Sequence, residues 1–302
     1  MSPVRELGGR ELGGRELGGR ELAAEIRAAV AERAAELTAA GRPPRLAVVT
    51  ATADEASAWY VRSLGRAAAK AGIAYDVTDL APDSPAGTAA RSVPVIREAL
   101  ARLSGDPRVH GILLQTPLPD GARLADLAGS IEPAKDVDGA NPVSLGRLMT
   151  GLPAFAPATA AAVLALLDHH GVALSSKRAV VVGRSAVVGK PVAQLLLARD
   201  ATVTVCHSRT ADLAAVTSTA EILVVAAGRA GLIGPGFVGP GAVVVDVGTN
   251  ATADGGMAGD VDPAVASVAG ALSPVPGGVG PVTTAVLLRH VLEAAGAAGR
   301  GG

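Results

Sequence analysis

A single cysteine, Cys206, stands in 302 residues, so no disulfide can close within the chain and the composition suits a reducing compartment. Only five residues are aromatic, one Trp, two Tyr and two Phe, so any core must be built from Ala, Val and Leu. Charge of neither sign dominates. Against 28 Asp and Glu stand 27 Lys and Arg, a formal net charge of −1, which gives no basis for a nucleic-acid groove or for attraction to an acidic membrane. No uncharged apolar run of roughly 18 residues occurs, so no membrane span is expected. No apolar stretch follows the charged N-terminus, so no secretory signal is read. No metal site is read, and a cytoplasmic location is expected.

What is present is ample apolar material, 49% of residues against 18% charged, in a chain longer than one core usually organises. Two domains are the natural expectation. The N-terminus repeats Arg-Glu-Leu-Gly-Gly from Arg5, Arg10 and Arg15, with a partial fourth copy at Arg20. A five-residue period does not align its leucines on one helical face, and each glycine pair costs about 2 kcal/mol of helix propensity. Residues 1–19 therefore read as frayed or disordered.

From Leu22 the pattern changes, with Leu22, Ile26, Val30 and Leu37 on one face of a helix reaching about Ala39. A strand over 45–52, a helix through Trp59, Tyr60 and Leu64 to Ala71, a strand over 73–79, a helix over 88–103 and a strand over 109–115 follow. That alternation predicts an α/β fold with a parallel sheet. A second alternating unit begins near Ala161, with helices over 163–169 and 190–198 and strands over 179–182, 202–206, 222–226 and 243–247. A closing helix is expected over 284–298.

The turn after the 179–182 strand, residues 183–191, reads Gly-Arg-Ser-Ala-Val-Val-Gly-Lys-Pro. Strand, glycine turn and helix leave free backbone N–H groups where a phosphate can sit, although Ser185 replaces the middle glycine of the usual pattern and Gly189 is displaced. NAD-binding folds place an acid about 20 residues beyond that turn to hold the ribose 2′-hydroxyl. Here the stretch is Cys206-His207-Ser208-Arg209-Thr210, without an acid. Arg184, His207, Ser208 and Arg209 offer donors suited to a 2′-phosphate, which favours NADP; Arg209 also reads as an ordinary solvated loop charge.

In the first unit, Trp59 and Tyr60 take two of the five aromatic positions, and Gln115 ends a strand that runs into Thr-Pro-Leu-Pro. Residues 135–139, Lys-Asp-Val-Asp-Gly, pack three charges around a turn. Late in the chain, residues 273–285 read Ser-Pro-Val-Pro-Gly-Gly-Val-Gly-Pro-Val-Thr-Thr-Ala. Three prolines and three glycines so close together exclude a helix or central strand and predict a shaped loop ending where the closing helix begins. A flat heteroaromatic ligand needs such an aromatic platform, polar edge and close backbone wall. Gln115 capping a strand, and Asp136 or Asp138 as plain turn acids, are the simpler alternatives.

Six motifs in order, GILLQTPLP (111–119), PAKDVDG (133–139), GRSAVVGKP (183–191), DVGTN (246–250), GDVDP (259–263) and SPVPGGVGPVT (273–283), resemble the bifunctional methylenetetrahydrofolate dehydrogenase/methenyltetrahydrofolate cyclohydrolase family over residues 20–298. The resemblance implies a folate-binding catalytic domain over 20–155, completed by the 284–298 helix, and a Rossmann-type NADP-binding domain over 156–283, with a cleft where they meet. Homodimers are usual in that family. It implies that Tyr60 stacks on the substrate, that Gln115 and Asp138 hold its polar edges as catalytic residues, and that Pro276, Gly277, Gly278 and Pro281 form the wall. Gly183, Arg184, Ser185, Gly189, His207, Ser208, Arg209 and Thr249 are implied to hold NADP.

One departure stands out. The family carries a catalytic lysine four residues beyond the tyrosine, and that position is Leu64 here. Arg66 and Lys70 fall on other faces of the helix. Hydride transfer mainly requires alignment of donor and acceptor, whereas hydrolysis of the methenyl product requires proton transfer. Dehydrogenase activity is therefore expected to persist, with cyclohydrolase activity weak or lost. Thr116 in place of leucine, the stretch Ala158-Thr159-Ala160-Ala161-Ala162 without the family's proline and glycine after the threonine, and His290 in place of asparagine are lesser departures. They leave open a divergent paralogue with a different folate-linked substrate, a non-catalytic folate or NADP binder, or another two-domain NADP dehydrogenase. The last would keep a Lys–Asp pair that is not found.

Overall fold

The computed structural model describes residues 14–80, 92–253 and 255–298. The described residues form two compact units: one holds the chain up to Ala23 with Thr159–Thr283, the other Ala24–Ala158 with the chain from Thr284. A short strand β1 (Arg15–Glu16) opens the described chain and leads into helix α1 (Arg20–Ala39). Ala23, Val30, Ala34 and Leu37 form the buried stripe of α1.

In the second of these units, β2 (Arg45–Thr50), α2 (Glu55–Lys70), β3 (Ala74–Asp79), α3 (Val93–Gly105) and β4 (Gly111–Leu114) alternate. The strands make a parallel sheet in the order β3-β2-β4, with Leu46 opposite Tyr75 on one side and Gly111 on the other. Central β2 is apolar from Leu46 to Val49 without interruption, as expected of a strand with both faces covered. Asp54 caps α2 by accepting the Ser57 N–H at 2.8 Å. Val49, Ile96, Leu100, Ile112, Leu114 and Leu127 belong to one core cluster. Two further helices, α4 (Leu124–Ala128) and α5 (Pro142–Met149), are too short to declare themselves by periodicity.

The other unit contains α6 (Ala158–His169), β5 (Arg178–Val182), α7 (Gly189–Leu197), β6 (Thr202–Cys206), α8 (Leu213–Thr217), β7 (Ile222–Val225), β8 (Val243–Asp246), the β9 (Asn250–Ala251) and β10 (Met257–Ala258) hairpin, and β11 (Ala271–Leu272). Its six-stranded sheet runs β1-β11-β8-β7-β5-β6, every pair parallel. β5 lies between β6 and β7, so the chain leaves it in opposite directions. That reversal marks the switch point of a dinucleotide-binding sheet, where ligands bind beyond the carboxyl ends of the strands. The last helix, α9, spans Val279–Ala298. No helix among the described residues is long and apolar enough to cross a membrane.

Three expectations are corrected. Residues 1–13 of the expected frayed segment lie outside the described residues, but 14–19 are ordered: β1 pairs with β11, and Leu17 is fully buried. Glycine pairs disfavour helix, but they do not disfavour an edge strand whose neighbour leaves no room for a Cβ. The closing helix starts at Val279 instead of Thr284, so Gly280 and Pro281 belong to its first turn. Proline is tolerated there because the N–H it lacks would have no intrahelical partner. The expected helix from Thr88 begins at Val93, with 88–91 outside the described residues.

Candidate functional site

α2 presents Tyr60 inward and partly buried, whereas neighbouring Trp59 is 57% exposed. Burial raises the Tyr60 phenol well above the usual tyrosine range; the Asp138 charge adds to this and the adjacent Thr284 hydroxyl opposes it. Tyr60, Asp138 and Thr284 are therefore gathered in one place from α2, the 135–139 turn and α9.

The three charges of the turn separate cleanly. The Lys135 amine donates to the carbonyls of Ser104 at 2.7 Å and Asp106 at 2.8 Å, tying the turn to the end of α3. Asp136 is 1% exposed and accepts the N–H groups of Asn141 at 2.7 Å and Ala140 at 3.2 Å. Both are structural. The Asp138 carboxylate has no hydrogen-bond partner among the described residues. Burial first, and the Asp136 charge second, push it up to about 7. An acid poised between its two forms and lacking a partner is suited to a ligand's polar edge.

His290 on α9 holds this turn from behind. Its Nδ1 lies 2.8 Å from the Val137 carbonyl and its ring packs on Phe155 at 4.9 Å. Burial lowers the imidazole to about 4, so it is neutral at pH 7 and Nδ1–H is the donor. The sequence marked His290 only as a departure; its hydrogen bond spans 153 residues and has no local signal.

Gln115 follows β4, where its N–H donates to Val49 at 2.9 Å. Its side-chain amide donates to the Thr116 carbonyl at 2.7 Å. Ser57 also donates to that carbonyl at 2.8 Å, and Thr52 donates to the Pro117 carbonyl at 3.0 Å. The bond to Pro117 is cis. Leu64, one turn beyond Tyr60, is 0% exposed. Arg66 and Lys70 line a surface groove of about 450 Å³ with Arg27 and Ser63.

In the other unit, Gly183 follows β5 with φ +131°, and a Cβ there would sit 2.2 Å from the Ala226 carbonyl oxygen. A Cβ on Gly189 would lie 2.1 Å from the Gly183 oxygen. Both glycines are thus required by close approach. Ser185 Oγ accepts the Val188 N–H at 3.1 Å and that of Gly189 at 3.3 Å at the start of α7. After β6, His207 Nδ1 accepts the Arg209 N–H at 3.1 Å, and Thr210 accepts the His207 N–H at 2.9 Å. Arg184, Ser208 and Arg209 are exposed, and Thr249 is exposed just beyond β8. All these residues follow the carboxyl ends of parallel strands, as a dinucleotide site requires.

The acids of DVGTN and GDVDP are structural. Asp246 accepts the N–H groups of Gly248, Asp260 and Val261 at 2.8, 3.0 and 3.0 Å. Asp260 accepts those of Ala227, Gly228 and Arg229 at 2.6, 2.8 and 2.8 Å, which fixes the loop after β7 beside the switch point. In the Pro/Gly segment Gly277 and Gly278 are buried, Pro281 is partly buried and Pro276 is exposed. The Val275–Pro276 bond is cis.

Comparison with known proteins shows the family. Residues 17–138 match the catalytic domain of tetrahydrofolate dehydrogenase/cyclohydrolase and residues 157–298 match its NAD(P)-binding domain. The chain belongs to this family. The bifunctional protein FolD 1 of Saccharopolyspora erythraea is 64% identical over 272 residues, 89% of this chain and 90% of that protein. The crystal structure of the bifunctional enzyme FolD from Campylobacter jejuni shares 37% identity at a TM-score of 0.87, covering 93% of this chain and 98% of that one. That of Trypanosoma brucei methylenetetrahydrofolate dehydrogenase-cyclohydrolase, complexed with NADP cofactor and inhibitor, shares 34% at 0.87, covering 95% and 99%. For this family member the fold is the two-domain α/β arrangement and the cofactor is NADP.

Proposed function

We propose that this chain oxidises 5,10-methylenetetrahydrofolate to the 5,10-methenyl compound with NADP⁺, and that its cyclohydrolase activity is weak or lost. Its membership of a dehydrogenase/cyclohydrolase family supports the first half. The second half rests on one observation: the position one helical turn beyond Tyr60 holds the fully buried Leu64 and no lysine. The chain has four lysines. Of the two in the unit of Tyr60, Lys135 is spent on the Ser104 and Asp106 carbonyls and Lys70 lines the surface groove.

The residues present fit the cofactor. Gly183 and Gly189 leave a cradle that a Cβ would fill, and the exposed guanidinium groups of Arg184 and Arg209 suit a 2′-phosphate where an NAD-specific site would carry an acid. Bound NADP⁺ supplies the hydride acceptor. The methylene carbon gives up two electrons and one hydrogen as hydride, and the folate nitrogens stabilise the cation left behind. The protein's part is alignment: Tyr60 stacks on the ring system, and Gln115 and Asp138 hold its polar edge. Hydrolysis instead requires a water to be activated and a proton moved, worth about 10²–10⁴-fold when a group is placed for it. Leu64 offers none.

The chain is further read as a cytoplasmic homodimer, on its single buried cysteine and on an exposed sheet edge with Val205 at 41% and nearby Leu197 at 55% exposure. The test follows purified protein with methylenetetrahydrofolate and NADP⁺, recording NADPH and methenyl absorbance together. NADPH with accumulating methenyl product is expected. Methenyl consumed faster than in buffer would refute the loss of hydrolysis, and absence of NADPH despite cofactor binding would refute the dehydrogenase reading.

A further inference from the structure

The edge of β11 reads its neighbour closely. Arg15 and Leu17 donate to the Gly270 and Leu272 carbonyls at 3.0 and 2.9 Å, and Gly19 donates to Gly277 at 2.8 Å. Leu17 is fully buried. The Arg15 guanidinium donates to the His170 carbonyl, and His170 Nε2 lies 2.9 Å from the Gly18 carbonyl. Both ends are closed to side chains. A Cβ on Gly14 would lie 2.7 Å from the Ala269 oxygen, and one on Gly19 would lie 2.0 Å from the Gly278 oxygen. Within Gly-Arg-Glu-Leu-Gly-Gly, residues 14–19, the groove thus selects glycine at 14 and 19, arginine at 15 and leucine at 17.

The sequence offers four Arg-Glu-Leu copies, and these two contacts sort them. The copy at 20–24 ends in Ala-Ala and would drive a Cβ into Gly278. The copy at 5–9 follows Val4 and would drive a side chain into Ala269. Residues 9–14 again read Gly-Arg-Glu-Leu-Gly-Gly and meet neither obstacle. We propose that the β11 edge is a docking groove for this hexapeptide and that residues 9–14 are its second occupant, entering by a five-residue slide when the docked copy fails.

Tethering favours the intramolecular exchange, because a short linker holds the spare copy at high effective concentration. The slide adds five residues between strand and α1, and loop entropy grows only logarithmically with length. It also gives up the Ala23 N–H to Gly19 carbonyl bond of 2.9 Å at the start of α1. The register of residues 14–19 therefore prevails in the unaltered chain, and the spare copy shows itself only under perturbation.

The test places Leu17→Asp in the full chain and in a chain lacking residues 5–9. In the shortened chain the docked copy keeps its preceding glycine, but the remaining spare copy now follows Val4. Leu17→Asp is expected to lower the thermal midpoint by several degrees in the shortened chain and by less than half as much in the full chain. Val4→Gly in the shortened chain is expected to restore the tolerance. Hydrogen exchange on full-length L17D should show protection at the Leu12 amide. Leu17→Ala gives the same ordering should the aspartate prevent folding. Equal losses in both backgrounds overturn the proposal, as does no loss in the shortened chain. Tolerance that vanishes on dilution also overturns it, since it would mean docking from a second molecule.

Discussion

Replacing Asp138 by asparagine tests the site through both stability and catalysis. The carboxyl is partly buried, has no hydrogen-bond partner among the described residues and is raised from 3.8 to about 7. Between those values the folded chain holds a proton that the unfolded chain has released, so stability falls as pH rises through that window. Each pH unit across it is worth about 1.4 kcal/mol, so ionised Asp138 costs about 4 kcal/mol above pH 7. Asparagine has nearly the same shape and no charge. In urea unfolding, Asp138→Asn should match the unaltered chain near pH 4 and exceed it by up to about 4 kcal/mol at pH 8. The same substitution removes the acceptor for the folate's polar edge, and a lost charge-assisted hydrogen bond of about 1.5–3 kcal/mol lowers kcat/KM roughly 10–100-fold. A stability difference that does not change with pH, or a variant less stable than its parent at pH 8, would refute an unpartnered carboxylate at this position.

Arg209→Ala should raise KM for NADP⁺ roughly tenfold and leave KM for NAD⁺ nearly unchanged; equal effects on both would remove Arg209 from the 2′-phosphate. His290→Ala, which loses the Val137 hydrogen bond and the contact with Phe155, should cost about 2–4 kcal/mol by urea unfolding. The unfolded imidazole binds its proton near 6.5 and the folded one only near 4, so His290 makes stability fall as pH drops through that window, a slope the alanine variant should lack. Gly259→Ala should destabilise by at least about 2 kcal/mol, measured the same way, because its Cβ would lie 1.8 Å from Asp246 Oδ2.

Much of the site was legible because its signals are local. Gly183 and Gly189 announce a βα turn by spacing, and the absence of an acid from residues 206–210 speaks to the cofactor within one short segment. Leu64 shows its departure by standing one helical turn from Tyr60. Less legible were residues whose meaning depends on a distant partner. In residues 135–139, Asp136 and Asp138 look alike. They part only when Asp136 is found capping the Ala140 and Asn141 N–H groups while the Asp138 carboxylate has no hydrogen-bond partner among the described residues.

The sequence by itself determined two alternating α/β units, a chain without disulfides, the family motifs and a leucine where an amine is usual. Hydrophobic period and turn chemistry act over a few residues and can be read in order. Only the tertiary structure decided that Pro281 lies inside a helix, that His290 holds the Asp138 turn, that Asp260 fixes the 227–229 loop, and that residues 14–19 form a strand. Each of the last three depends on a neighbour at least 30 residues away, and Pro281 on its place in a first turn whose N–H groups need no intrahelical partner.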